Sequence, residues 1–83
     1  MRLSDLRAGD TAVVCDLLTT GSMRHRLLDI GLVKHTVVTC LGAGPMGDPS
    51  AYRIRGAVVA LRAEDASGVR VRLCKGREQN GTD

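Results

Sequence analysis

The chain reads as mainly β, a small, partly open barrel of about five short strands with one α-helix inserted after the first strand. Three observations carry this reading. Short runs alternating apolar and polar residues recur at close spacing, and turn residues (Gly9-Asp10, Gly42 to Pro49, Gly56, Gly68) punctuate them. A single segment, Met23 to Ile30, instead spaces its apolar residues by four and three, the period of a helix face.

The elements follow in order. Leu3-Ser4-Asp5-Leu6 forms a short capped turn with both leucines on one side. Gly9-Asp10 turns the chain into a strand over Thr11 to Leu17, with Ala12 and Val14 inward, Val13 and Cys15 outward, and Leu17 regaining the core by a kink near Asp16. Thr19-Thr20-Gly21-Ser22 is a loop with Ser22 as N-cap. The helix Met23 to Ile30 buries Met23, Leu27 and Ile30, and Gly31 stops it at a position that favours positive φ. A second strand spans Thr36 to Leu41 with Val38 and Cys40 inward. Gly42 to Ser50 is a rigid loop, because its two prolines fix φ while Gly47 frees it, and Asp48 fastens it through local amides. Ala51 to Arg55 and Ala57 to Arg62 pair around a bend or bulge at Gly56. Ala63 to Gly68 is one helical turn, and Val69 to Leu73 closes the sheet. Residues 1–74 make one domain, and the polar tail 75–83, which has no apolar residue, is expected to be disordered.

With 83 residues, folding removes only about 60% of the unfolded surface from water, so the core is thin. Leu, Val, Ile and Ala fill it, since Tyr52 is the one aromatic residue. That excludes stacking platforms for single-stranded nucleic acid and aromatic grooves for polyproline. The net charge of +3 is mildly basic, and no nucleic-acid partner is expected. Cys15, Cys40 and Cys74 have no metal-type or disulfide-type spacing, which fits reduced thiols and a cytoplasmic location. The N-terminus lacks a signal-type apolar core, and no run approaches the roughly 18 residues of a membrane span.

Function classes separate on inventory. His25 and His35 stand in no nucleophile or acid–base arrangement, so the chain is not read as an enzyme. The same histidines and the cysteines are strewn over different elements, so His25 and His35 are weak metal ligands only, open to adventitious transition metal, and no cofactor is required. The glycine-rich Gly42 to Gly47 lacks a Gly-Lys-Ser/Thr step and does not cradle phosphate. A protein-interaction module remains, with an unpaired strand edge and a cleft between helix and barrel wall as recognition surfaces. Leu28, Leu32 and Met46 exceed what so thin a core needs and are expected to line a docking patch.

Several motifs then read together, in order from Leu3 to Val71. They are Leu3-x-x-Leu6, Gly9-Asp10, Arg26-Leu27-Leu28-Asp29-Ile30-Gly31-Leu32, Pro45-Met46-Gly47-Asp48-Pro49, Arg55-Gly56, Ala60-Leu61-Arg62 and Glu64-Asp65-Ala66. The set resembles the ferrous iron transport protein A (FeoA) family. The resemblance implies an SH3-like barrel that acts as a cytoplasmic accessory to the FeoB permease, binding the cytosolic part of that GTPase and promoting Fe(II) uptake. Membrane contact would come only through that partner. Leu27, Gly31, Pro45, Gly47, Asp48, Pro49, Gly56, Leu61 and Arg62 match the family positions. Lys34-His35 stands where the family usually has Pro-Gly, so His35 must tolerate a turn made for glycine. Two alternatives are an Sm-like or SH3-like RNA-binding barrel, with Arg53, Arg55, Arg70 and Arg72 as a basic panel, and a metal-responsive regulatory domain.

Overall fold

The computed structural model describes residues 1–74. The expected tail at 75–83 lies outside the described residues. A 3-10 turn at Leu3–Asp5 leads to β1 (Thr11–Leu17), α1 (Gly21–Asp29), β2 (Val37–Ala43), β3 (Ser50–Ile54), β4 (Ala57–Leu61), the short helix α2 (Ala63–Ala66) and β5 (Val69–Leu73). The strands form one antiparallel sheet in the order β4-β3-β2-β1-β5. This is the expected partly open barrel: α2 bridges from β4 to β5, and these two edge strands do not pair with each other.

Strand alternation decides which residues fill the interior. Along β1 the buried positions are Ala12, Val14 and Leu17, because the register with β5 slips between Val14 and Asp16 and Cys15 takes up the extra residue. Val38 and Cys40 of β2, Tyr52 and Ile54 of β3, and Val69 and Val71 of β5 face the same core. Tyr52 is the largest fully buried side chain, 2% exposed, and its hydroxyl donates to the Leu3 carbonyl at 3.5 Å. Burial pushes its phenol above the ordinary tyrosine pKa, which keeps that proton in place.

The helix begins at Gly21, earlier than the Met23 expected, and Thr20 rather than Ser22 is its N-cap residue, with no side-chain cap bond. Leu27 is its fully buried anchor, with Met23, Leu28 and Ile30 packed partly against the core. Gly31 follows at φ +104°. A Cβ there would lie 3.0 Å from Arg55 Cδ and 3.1 Å from Ile54 Cγ2, so a side chain is strained by the backbone conformation and crowded by both neighbours. Leu32 is thereby delivered into the core at 0% exposure, its amide donating to the Leu27 carbonyl at 3.1 Å. The expectation that Leu32 lines an exposed docking patch is corrected by this burial.

Three further differences from the sequence reading have local causes. β2 runs on to Ala43 because the register shifts between Cys40 and Gly42, letting Gly42 and Ala43 still pair with Ala51 and Ser50. The β3–β4 connection is a two-residue turn, with Ile54 opposite Ala57 and both Arg55 (φ +53°) and Gly56 (φ +85°) left-handed, so Gly56 serves a type I′ turn and not a bulge. Asp48 does not fasten local amides. Its Oδ1 accepts from the Ala63 amide at 2.8 Å, fifteen residues on, and so caps the first turn of α2 from the far side of the hairpin.

His35 does adopt the left-handed turn, at φ +76°. Its amide donates to Val14 O, and Val14 N–H donates to Thr36 O, both at 2.8 Å, which knits this turn to β1. At the other end Gly68 approaches Thr19 so closely that a Cβ would overlap the Thr19 methyl. The Leu18 amide donates to Gly68 O at 2.7 Å, fixing the crossing.

Two stability measurements check these assignments. His35→Gly relieves the left-handed strain at some entropic cost, and is expected to stabilise by about 0.5–1 kcal/mol, raising Tm by a few degrees. A lower Tm contradicts the strain. Asp48→Ala removes the cross-hairpin cap and is expected to cost about 1 kcal/mol, lowering Tm by roughly 4–8 °C for a domain of this size. An unchanged Tm shows that the Asp48 bond contributes nothing.

Candidate functional site

The surfaces that remain after the core is filled are the candidates. Leu28 sits half-buried on α1 and lines a hollow of about 170 Å³ between the helix and the barrel wall, with Val14, Asp16, Leu17, Arg24, Leu32 and Lys34 around it. Met46 is at the tip of the β2–β3 loop, 89% exposed, between Pro45 and Gly47, which are also exposed. Thus two of the three expected docking residues reach the surface, one in a cleft and one on a projecting loop.

Rigid placement of Met46 follows from its loop. Gly44 N–H donates to Pro49 O at 3.2 Å and Gly47 N–H to Gly44 O at 2.9 Å, and Asp48 is tied to α2. Met46 therefore projects from a braced loop.

The free strand edge expected from the sequence is β4. Among the described residues nothing pairs with its outer side, and its residues Ala57-Val58-Val59-Ala60-Leu61 carry no charge. The two-residue turn makes Ala57 and Val59 the hydrogen-bonded partners of β3, so Val58 and Ala60 direct their amides and carbonyls outward. Val58 is also 61% exposed. At the end of this strand a second hollow, about 390 Å³, is lined by Met23, Arg26, Pro49, Ala60, Arg62, Glu64 and Asp65. The opposite edge is different: Met1 O accepts from Val71 N–H at 2.8 Å and Arg2 bridges Arg70, so β5 is partly covered. Sequence reasoning anticipated an edge but could not say which strand held it, because strand order depends on long-range pairing.

The remaining side chains fall short of other chemistries. Arg53 and Arg55 belong to the β3–β4 hairpin and Arg70 and Arg72 to β5, with β2 and β1 between the two strands, about 14 Å at usual strand spacing. Arg70 also faces Asp16 across the β1–β5 ladder. The four arginines therefore do not gather into one panel. His25 is exposed on α1 and His35 lies in the turn before β2. Among the described residues no group of three or more His, Cys, Asp or Glu could hold a metal ion. Cys40 is buried and weakly donates to Leu6 O at 3.7 Å, as a small core residue does. No helix among the described residues is long and apolar enough to cross a membrane.

Comparison with known proteins converges on one family. The FeoA domain model matches residues 1–73. A curated Fe(2+) transport protein A/Fe(2+) transporter FeoB fusion protein of Porphyromonas gingivalis is 41% identical over 73 residues, which are 88% of this chain and 9% of the fusion. The chain thus spans only about a tenth of that relative. Among solved structures, the FeoA protein of Chlorobium tepidum superposes with a TM-score of 0.82 at 36% identity, covering 88% of this chain and 70% of that one. FeoA of Stenotrophomonas maltophilia, complexed with zinc and described as an SH3 domain protein, gives 0.78 at 30% identity, covering 87% and 89%. A manganese-dependent transcriptional repressor shares the fold alone, with a TM-score of 0.79 at 22% identity over 40% of its length. From the turn at Leu3 to the closing strand, this chain is an SH3-like barrel that belongs to the FeoA family of ferrous iron transport.

Proposed function

We propose that the protein is a cytoplasmic adaptor for ferrous iron uptake that docks on the cytosolic portion of a FeoB-type GTPase permease. The observation that carries the proposal is the fusion relative, in which a segment 41% identical to this chain is part of the same polypeptide as a ferrous iron transporter. A relation held covalently in one protein is readily held by a surface in another, and this chain offers such surfaces. They are the Leu28 cleft, the braced Met46 tip and the uncharged β4 edge. Each suits a strand or amphipathic segment of a partner polypeptide, and none supplies a nucleophile with its base.

The role needs no resident metal. His25 and His35 would take transition metal only adventitiously, whereas Fe(II) is the cargo of the partner. RNA binding gains no support from arginines split between the β3–β4 hairpin and β5, and the repressor resemblance reaches only the fold.

The test is co-purification of the tagged protein with a large membrane GTPase from its own cells, together with Fe(II) uptake after deletion. Capture of the permease and reduced uptake are the expected outcomes. Leu28→Glu and Met46→Glu, folding normally, should each weaken capture by about tenfold, the loss of a central apolar contact. Full capture by both variants removes these residues from the interface. Unchanged uptake with RNA in the purified fraction overturns the adaptor role itself.

A further inference from the structure

The third hollow, about 440 Å³, is lined by Val33, Lys34, His35, Thr36, Val37 and Arg55. Three of these six are basic side chains and none is acidic. Among the described residues, Lys34, His35 and Arg55 have no side-chain hydrogen bond or ion pair. His35 and Arg55 are moreover the two non-glycine residues, among those described, with left-handed backbone. Both strained positions among the described residues thus bring a nitrogen-bearing side chain to one hollow, beside the Lys34 ammonium and from two turns that are twenty residues apart in sequence. Backbone strain of this kind costs of order 1–3 kcal/mol at each residue and persists where the surrounding structure enforces it. Here the enforcement is visible, since the Arg55 stem rests on Gly31 and the His35 amide is tied to Val14 O.

We propose that the Lys34–His35–Arg55 hollow is an anion site that docks an acidic polypeptide segment, the carboxylates on the Lys34 ammonium, the Arg55 guanidinium and a His35 ring N–H, and the aliphatic stems against Val33 and Val37. The identity of the partner rests on the adaptor reading, but the site does not. Two features favour carboxylates on a chain over a single inorganic anion. Val37 is 53% exposed and gives the hollow an apolar wall that a lone ion would not use. The amides of His35 and Thr36 are already spent on Val14 O and Val33 O, so the turn offers side-chain cations in place of a backbone cradle. A guanidinium braced along its stem is suited to bidentate contact with a carboxylate.

The test titrates the isotope-labelled protein with a hexaglutamate peptide and, separately, with inorganic phosphate, following amide shifts. Hexaglutamate is expected to move the amides of residues 33–37 and 55, with Lys34→Ser and Arg55→Gln each weakening binding by about tenfold, one charge-assisted contact. His35→Gly should weaken it as well while raising Tm, which a purely structural histidine would not do. The proposal is overturned if shifts fall equally on Arg70 and Arg72, or if phosphate binds the hollow as tightly as the peptide. It is also overturned if both Lys34→Ser and Arg55→Gln leave the affinity unchanged. Because no permease is present, binding that survives a failed co-purification upholds this site and sinks only the adaptor reading.

Discussion

The chain leaving α1 crosses close to the β3–β4 turn with a left-handed backbone, and the crossing strongly favours a residue with no side chain. Gly31 sits there with Ile54 and Arg55 pressed against it. Much else depends on this passage. Leu32 enters the core immediately after it, and the next turn comes back to pair with Val14. A bulkier residue would force Ile54 or Arg55 to shift, at a point a few residues along the chain from Leu27, whose burial, about 2 kcal/mol, anchors α1.

Much of this architecture was legible in the chain. Alternation located the strands apart from β4, because a half-buried strand must keep its apolar residues on one face, whereas Ala57–Leu61 is apolar throughout and is bounded by Gly56 and Arg62. The one helix announced itself by a different period. Gly31 is legible as a left-handed position from the glycine itself, and His35 from the glycine that the resembling family usually has there, and both are left-handed. What was not legible is long-range. Asp48 looks like a turn fastener from its neighbours Gly47 and Pro49, yet its partner is Ala63, brought close only when β3 and β4 fold back. Leu32 looked surplus to a thin core because the count of apolar residues does not reveal which of them the chain's path drives inward. The hollow shared by His35 and Arg55 was invisible for the same reason, although the unusual Lys34-His35 pair marked half of it.

Taken together, the barrel separates a plain interior from a varied exterior. Among the described residues the core is aliphatic save for Tyr52, Cys40 and the buried glycines Gly31 and Gly68, and polar groups are left to loops and turns that the strands hold in place. The Met46 loop is braced by α2, the Arg55 turn by Gly31, and the His35 turn by β1. Surfaces held this firmly lose little conformational freedom on meeting a partner, which favours an affinity out of proportion to so small a body.

The bond from the Val71 amide to the Met1 carbonyl, with the Arg2–Arg70 bridge, lays the start of the chain along β5, the last described strand. A module entered and left at one spot can be spliced into a host polypeptide as an appendage on a short stalk, with its remaining faces undisturbed. Such an attachment leaves the aliphatic interior unaltered, because the Met1–Val71 contact is a bond between backbone groups and the Val71 side chain stays in the core.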